Sequence, residues 1–243
     1  MKKIMKYIPT IILTLLCSCS DYLDIVPDNV TTLDIVFNNR NTAERYLANC
    51  YHFVPDHGSV KRIPGMGAGH ECWFYTTNDS HFDNEVSFYI ARGLQNIDAP
   101  YANYWDGEGG SNLPMFRAIR ECNIFLDYVR DQHKVNDLTD SERKRWIAEV
   151  NVLKAYYHFF LFEHYGPIPI VDKALPVSTD PEGVKVTRMP VDQIVDYMVK
   201  LIDDSYKDLP PVITMEATEM GRLTQPAALA HELNTEIISA DSR

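Results

Sequence analysis

Residues Thr139 to His164 carry the pattern that constrains the fold most strongly. Thr139 and Glu142 form a capping box at the start, and Gly166 with Pro167 stops the helix at its end. Between these signals, large apolar residues recur at helical spacing: Trp146, Val150, Leu153, Tyr157, Phe160 and Leu161. The stretch therefore predicts one long helix with a broad apolar surface, which other elements must cover.

The same periodicity predicts three more helices. The first spans residues 41–54 and opens with a capping-box pattern of Asn41 and Glu44. The second begins after Pro114, and its apolar face consists of Met115, Ile119, Cys122, Leu126 and Val129. The third runs from about residue 190 to 209, where two prolines end it. Strand patterns are sparse, so the predicted fold class is mostly α.

A long segment, residues 57–110, separates the first two helices. It is rich in glycine and aromatic residues and shows no sustained period. Irregular segments of this length inside a compact domain are usually functional or disordered. The aromatic content argues against disorder. We therefore expect long irregular loops on a helical scaffold, with function concentrated in this segment.

The N-terminus has the anatomy of an export signal. Lysines precede an apolar run, residues 7–16, that is shorter than the roughly 18 residues of a bilayer-spanning helix. The letters LCSC then match a lipobox in which Cys19 becomes the lipidated residue. An ordinary signal peptide is the alternative. A metal or redox pair of Cys17 and Cys19 is disfavoured, because the spacing is tight and no second pair exists.

Composition excludes some classes of partner. The 243 residues carry a net charge of −11 and no basic cluster, which opposes binding to nucleic acid. Besides Cys19, only Cys50, Cys72 and Cys122 remain after signal removal, and this odd, widely spaced set does not indicate disulfides. Cys122 falls on an apolar helix face, which predicts a core position.

Neither catalysis nor metal binding has a convincing pattern. Asp79, Asp83 and Glu85 are close in sequence, but an acidic run in so acidic a chain is usually a solvated loop. The run also lacks the glycine and distal glutamate of a calcium loop. His70 and Cys72 lack the further ligands that a zinc site needs. We expect a protein that is not an enzyme and has no metal site and no cofactor.

Sugar binding requires a flat aromatic face beside amide and carboxylate groups. Trp73 and Tyr75 are the best aromatic candidates, with Asn78 and Asp79 as polar partners. Burial in the core remains the alternative for each aromatic residue. Trp105 is assigned to packing, because large aromatic residues dominate cores.

Five sequence blocks resemble the SusD/RagB family of nutrient-binding outer-membrane lipoproteins. They are CSDYLDIVPDN, YWDGEGGSNLPMFRAIRECNIFLD, AEVNVLKAYYHFFLFEHYGPIPIV, MPVDQIVDYMVKLIDDSYKDLP and GRLTQPAALA. They occur in family order behind the lipobox and cover nearly the whole chain. The resemblance implies a tetratricopeptide-like helical-repeat scaffold with the ligand surface on irregular excursions between helices.

The resemblance also implies a function. It suggests a lipid-anchored protein of the outer membrane, facing the cell exterior, that binds glycans and delivers them to a SusC-like TonB-dependent transporter. The implied organisation is a signal peptide at 1–18, a lipid tether at 19–40 and a helical domain at 41–243. The alternatives are a helical-repeat adaptor for a peptide or protein partner, or a non-functional truncated fragment.

The end of the chain departs from the family pattern. Family members continue past residue 243, and after Ala230 the sequence HELNTEIISADSR replaces the expected apolar helix. We expect a truncated or frameshifted product, with a naturally short member as the alternative. The terminal helix would then expose apolar residues, namely Ala227, Ala228, Leu229 and Leu233.

Overall fold

The computed structural model describes residues 33–58, 64–69, 86–98, 100–107, 113–176, 181–214 and 219–241. The chain divides into two units, residues 1–36 and 37–243, and helix α1 (Leu33–Val36) belongs to the first. The helices of the second unit are α2 (Arg40–Tyr51), α3 (Pro64–Gly67), α4 (Val86–Ala91), α5 (Met115–Val129), α6 (Asp140–Tyr165), α7 (Val191–Asp203) and α8 (Gln225–Asp241). The described residues also form 3₁₀ turns at Pro181–Val184 and Tyr206–Asp208, and they contain no strand.

The long helices pack in chain order. Helix α5 lies against α6, α6 against α7, and α7 against α8, while α2 contacts both α5 and α6. In a helical-repeat scaffold each unit covers the apolar face of its neighbour in this way. The predicted mostly α, tetratricopeptide-like fold class is confirmed for the described part of the chain.

Helix α6 is the centre of the core. From Ala148 to Phe162 every residue except Tyr156 is buried. A helix that is covered on all sides loses the polar face of a surface helix, because neighbouring helices replace the solvent. The buried set therefore includes polar side chains that the apolar pattern did not predict: Arg143, Glu149, Asn151, Lys154 and His158.

The caps of α6 form as predicted. The Thr139 hydroxyl accepts the Glu142 backbone N–H at 3.3 Å, and the Glu142 carboxylate accepts the Thr139 backbone N–H at 3.2 Å. Gly166 ends the helix with φ +67°, and its N–H donates to the Phe162 carbonyl at 2.9 Å. The capping box and the glycine stop are both confirmed.

Helix α5 also matches its prediction, with its whole apolar stripe buried. Cys122 is fully buried beside Cys50, and the hydrogen bond between these thiols, together with burial, raises the pKa of Cys50. Both cysteines are therefore core residues, and the Cys50 thiol stays protonated at neutral pH.

Four predicted features need correction. Helix α2 is capped by Asn39, whose side chain accepts the Thr42 N–H at 3.1 Å, so the predicted cap at Asn41 is wrong. The helix ends at Tyr51, which leaves Val54 outside it. Helix α7 ends at Asp203, six residues early, because the chain tightens into a 3₁₀ turn. Finally, the segment 57–110 is not wholly irregular, since it contains α3 and α4.

A buried ion cluster fixes the chain that leads into α8. Glu149 is fully buried on α6, and its carboxylate accepts from Arg145 Nε at 2.9 Å and from the Tyr51 hydroxyl at 2.9 Å. Arg222 reaches the same carboxylate at 2.9 Å, and Glu219 pairs with both arginines. Burial raises the pKa of Glu149, and the two arginines and the tyrosine oppose that rise. The cluster joins α2, α6 and residues 219–222 in one polar contact.

Candidate functional site

The sequence-predicted site residues lie outside the described part of the chain. Trp73, Tyr75, Asn78 and Asp79 fall in this category, as does the predicted lipidation residue Cys19. Their roles stay predictions. The two helices that flank residues 70–85, α3 and α4, contact each other. Among the helices of the described ranges, none is long and apolar enough to cross a membrane.

Helix α4 follows residues 70–85 in the chain and ends in a turn that depends on a glycine. Gly93 has φ +73°, and its N–H donates to the Ile90 carbonyl at 2.9 Å. The Leu94 N–H donates to the Tyr89 carbonyl at 2.9 Å. These two bonds define a Schellman motif, which stops a helix and turns the chain sharply.

The turn allows two tyrosines to stack. The rings of Tyr89 and Tyr101 have centroids 4.6 Å apart and planes inclined by 10°. Both side chains are half-buried. Gln95 holds Tyr101 from the backbone side, since its amide donates to the Tyr101 carbonyl at 2.8 Å and accepts the Tyr101 N–H at 2.6 Å. The stack is therefore a supported aromatic platform at the protein surface.

Polar groups follow the platform in the chain. The Asn103 amide donates to the Asp106 carboxylate at 2.6 Å, and its oxygen accepts the Trp105 N–H at 3.1 Å. Carboxylate and amide oxygens each carry two lone pairs, so groups of this kind can accept more than one hydrogen bond. We call Tyr89, Gln95, Tyr101, Asn103 and Asp106 the aromatic–amide surface.

Helices α5 and α6 hold this segment in place. Tyr104 is buried, its N–H donates to the Tyr165 hydroxyl at 2.8 Å, and its carbonyl accepts the Met115 N–H at 2.9 Å. Burial raises the pKa of both tyrosines, so their phenols stay neutral. At Gly107, with φ +88°, an added Cβ would lie 2.8 Å from Pro114 Cδ, which requires glycine.

Trp105 packs against its neighbours, in agreement with its predicted role. Its ring meets Phe116 edge-on at 4.6 Å and Tyr165 at 5.5 Å. The Arg188 guanidinium carbon lies 5.3 Å from the ring centroid, and that side chain donates to the Pro167 carbonyl at 2.8 Å. These contacts make Trp105 a scaffold residue at the edge of the core.

The aromatic–amide surface has the chemistry of a binding site for neutral polar molecules. Flat aromatic rings cover the apolar face of a sugar ring, and amide and carboxylate oxygens accept its hydroxyl protons. Among the described residues, no group of three histidine, cysteine or acidic side chains could hold a metal ion. Sequence reasoning missed Tyr89 and Tyr101, although the glycine after α4 signals the turn that pairs them.

Comparison with known proteins supplies the context. A family model of SusD-like proteins, described as starch-binding and associating with the outer membrane, matches residues 21–232. A search of curated protein sequences finds no match. Solved structures share the fold: a SusD-like protein from Bacteroides fragilis has 18% identity and a TM-score of 0.62, over 85% of this chain and 36% of that one.

Two further solved structures carry descriptions of their ligands. A laminarin-binding SusD-like protein shows 17% identity and a TM-score of 0.62, over 83% of this chain and 40% of its own. Surface glycan-binding protein A from Bacteroides thetaiotaomicron, in complex with laminarihexaose, shows 16% identity and a TM-score of 0.58. The match covers 84% of this chain and 40% of that one. This chain therefore spans less than half the length of these relatives.

These likenesses concern the fold, because every identity is below 25%. The family match is broader evidence, since it covers most of the sequence. Proteins of this family bind carbohydrate and are not catalysts, which confirms the expectation of a non-enzymatic class. The chain belongs to the SusD-like family.

Proposed function

We propose that this chain binds glycan at the aromatic–amide surface and delivers it to a TonB-dependent, SusC-like transporter in the outer membrane. The observation that carries the proposal is the stacked pair of Tyr89 and Tyr101, supported by Gln95, on a SusD-like scaffold. Trp73, Tyr75, Asn78 and Asp79 stay candidate ligand-binding residues, since they combine aromatic rings with amide and carboxylate groups in the segment that precedes α4.

The glycan class follows from the relatives. The family description names starch, and two solved relatives are described with laminarin or its hexaose. Soluble starch and laminarin are therefore the first ligands to test. Both are neutral glucans, which suits a chain with a net charge of −11, because no phosphate or carboxylate has to approach it.

Replacing Tyr101 by alanine is expected to weaken glucan binding by roughly tenfold. Loss of one aromatic contact costs about 0.5–1.5 kcal/mol beyond buried area, and a factor of ten corresponds to about 1.4 kcal/mol. Isothermal titration of the purified full chain with starch and with laminarin measures the effect.

Two control variants separate stacking from folding. Tyr101→Phe keeps the ring and should retain most of the affinity. Tyr206→Ala removes a half-buried tyrosine from the 3₁₀ turn after α7, and it should leave the titration unchanged. If Tyr101→Ala and wild type bind each glucan with equal affinity, glycan binding at the aromatic–amide surface is contradicted.

The membrane placement is also a proposal, supported by the lipobox and by the family description. Residues 1–18 would be removed as a signal, acyl chains on Cys19 would anchor the protein, and residues 19–40 would act as a tether to the domain 41–243. Stable anchoring needs more than one acyl chain. Cys19→Ala should move the protein from the membrane pellet to the soluble fraction, and continued pelleting would contradict the anchor.

The transporter partnership follows from the family and has its own test. Cross-linking in intact cells should capture a SusC-like transporter with the wild-type chain. The Cys19→Ala variant should lose this product, because it is no longer held at the same membrane. Recovery of the lipidated chain without any transporter would contradict delivery while leaving glycan binding unaffected.

A further inference from the structure

A small cavity, which we call the Arg120 pocket, lies next to the aromatic–amide surface. Helix α5, the chain after α6 and the chain before α7 form its walls together with Trp105. Its volume is about 210 Å³, and its lining includes Trp105, Phe116, Arg120, Pro169, Val171 and Val186. Trp105 follows Asn103 by two residues and directly precedes Asp106. One wall of the pocket is therefore continuous in the chain with the aromatic–amide surface.

The half-buried guanidinium of Arg120 has hydrogen-bonding capacity that the described part of the protein does not use. It donates to the Leu175 carbonyl, and no described carboxylate pairs with it. A guanidinium carries five N–H donors. Arg143 provides a contrast, since this buried arginine donates to four backbone carbonyls. Most N–H donors of Arg120 are therefore open to a ligand in the pocket.

A second positive charge lies against the same indole ring. The Arg188 guanidinium carbon is 5.3 Å from the Trp105 ring centroid. Within the described ranges its hydrogen bonds go to backbone carbonyls and to no carboxylate. Charges act over roughly 8 Å at physiological ionic strength. Arg188 therefore adds positive potential to the pocket, although it is not one of the lining residues.

Attraction of an anion has to be local, because the whole chain carries a net charge of −11. Two acidic side chains are adjacent in sequence to lining residues, and both have partners. Asp172 pairs with Lys154 at 2.8 Å, and Asp106 accepts the Asn103 amide at 2.6 Å. The two arginines therefore form a positive site within an acidic protein.

The larger groove beside α8 has no such site. Its volume is about 560 Å³, its walls include parts of α2, α6 and α8, and its described lining contains no lysine, arginine or acidic residue. Ala228 of α8 is fully buried, so its predicted exposure is wrong, whereas Leu229 and Leu233 are exposed as predicted. Charge and open hydrogen-bond donors therefore distinguish the Arg120 pocket from this groove.

The size and lining of the Arg120 pocket define the shape of its ligand. Pockets for drug-sized molecules measure about 300–1,000 Å³, so a cavity of about 210 Å³ suits a single six-membered ring. Trp105 and Phe116, whose ring centroids are 4.6 Å apart, offer apolar surface to such a ring. A guanidinium binds a carboxylate through two parallel N–H···O bonds. The pocket thus fits a ring that carries a carboxylate.

We propose that the Arg120 pocket binds a uronic acid residue of a glycan whose neighbouring sugars lie on the aromatic–amide surface. This inference rests on the proposed glycan binding, and it extends the ligand class from neutral glucans to acidic glycans. An aromatic carboxylate has the same ring and charge. The amide and carboxylate groups of Asn103 and Asp106 beside the pocket favour the sugar, because they accept hydrogen bonds from hydroxyl groups.

Trigalacturonate and its methyl ester are matched probes, since esterification removes the charges and keeps the sugars. Isothermal titration of the purified full chain at low salt should show the acid binding at least about tenfold tighter than the ester. Added salt should weaken binding of the acid and leave the ester unchanged. Equal affinity for the two probes, or no binding of the acid by a preparation that binds starch or laminarin, would overturn this inference and leave the proposed function intact.

Variants locate the acid in the pocket. Arg120→Gln should weaken binding of trigalacturonate by about tenfold and change binding of the ester by less than about twofold. Arg120→Lys should fall between Arg120→Gln and wild type, because it keeps the charge and loses the planar fork of donors. Arg188→Gln alters an exposed side chain and should weaken the acid by about threefold. Helix content by circular dichroism verifies that each variant is folded.

Arg117→Gln is the matched control for charge. It removes a positive charge from the same helix, its side chain is 70% exposed, and it is not among the described residues that line the pocket. We expect it to bind trigalacturonate as wild type does. Equal weakening by Arg117→Gln and Arg120→Gln would overturn the proposal, because net charge and not the pocket would then govern binding.

Phenylacetate distinguishes the two sources of a carboxylate-bearing ring. The proposal predicts that an equal concentration of phenylacetate leaves the trigalacturonate titration unchanged. Displacement of trigalacturonate by phenylacetate at that concentration, with loss of the effect in Arg120→Gln, would overturn the assignment of a uronic acid and identify an aromatic acid as the ligand.

Discussion

Replacing Glu149 by alanine is expected to lower the free energy of unfolding by about 3–5 kcal/mol. The carboxylate is fully buried and receives Arg145, Arg222 and the Tyr51 hydroxyl. Removing it takes the buried counter-ion from two guanidinium groups in a site that water reaches poorly, and leaves them with Glu219, which is partly exposed. It also weakens the attachment of the chain before α8, because Arg222 loses its contact with α6 while the pair of Arg145 and Glu219 remains.

Urea unfolding followed by circular dichroism measures this change. Glu163→Ala is the matched control, since it removes an exposed glutamate from the same helix and should cost less than about 0.5 kcal/mol. Glu149→Gln should fall between the two, because it keeps one of the two acceptor oxygens and loses the charge. A Glu149→Ala variant as stable as Glu163→Ala would show that the cluster does not hold α6 and residues 219–222 together.

Lowering the pH from about 6.5 to about 4 is expected to remove about 3 kcal/mol of stability through His158 alone. Burial lowers the pKa of this histidine to about 4. The Lys154 carbonyl lies 2.7 Å from Nδ1, and the Val171 N–H points at Nε2 from 3.4 Å. The neutral ring satisfies both contacts, whereas a proton on Nε2 would face another N–H.

The direction of this stability change follows from the pKa values of His158 in the folded and the unfolded chain. The folded-state pKa of about 4 lies below the ordinary value of 6.5, so the unfolded chain takes up the proton first as the pH falls. Stability therefore decreases across this interval and is retained above it. Urea unfolding at several pH values should show a shallower pH dependence for His158→Gln than for wild type.

His231 has a pKa lowered to about 4 by burial and remains in both proteins, so its contribution cancels in the comparison. His133→Gln serves as a control, since that histidine is exposed. Identical pH profiles for wild type and His158→Gln would contradict the assignment of a neutral, buried ring.

The sequence predicts the long helices well because their determinants are local. The Thr139–Glu142 capping box and Gly166 act within a few residues, and the apolar period of α5 identifies its buried face without knowledge of the partner. The sequence misplaces the start of a helix where two nearby residues could each serve as its N-cap. Asn39 and Asn41 are both good caps, and only the structure shows that Asn39 accepts the Thr42 N–H.

Periodicity did not predict the features created by tertiary contact. Glu149 and His158 interrupt the apolar surface of α6, yet both are buried because partners arrive from Tyr51, Arg222 and Val171, distant in sequence. The same holds for the groove beside α8, whose walls come from three helices. A pattern read along one helix carries no information about such partners.

The aromatic–amide surface was missed for a related reason. Tyr89 and Tyr101 belong to a segment without a sustained apolar period. They stack because Gly93 turns the chain and the Gln95 amide forms hydrogen bonds with the Tyr101 backbone. Sequence reasoning selected Trp73 and Tyr75 from the same region on residue type alone. The named residues and the described platform belong to the same segment, residues 57–110, and its role in ligand binding stays a prediction.

Hydrogen exchange of the purified full chain with and without laminarin or starch tests whether glycan binds at the aromatic–amide surface. We expect glucan-dependent protection of backbone amides in residues 86–107, with no change in α7, whose residues take no part in the proposed site. Protection confined to other helices, or an exchange pattern that neither glucan alters at saturating concentration, would contradict glycan binding at the aromatic–amide surface.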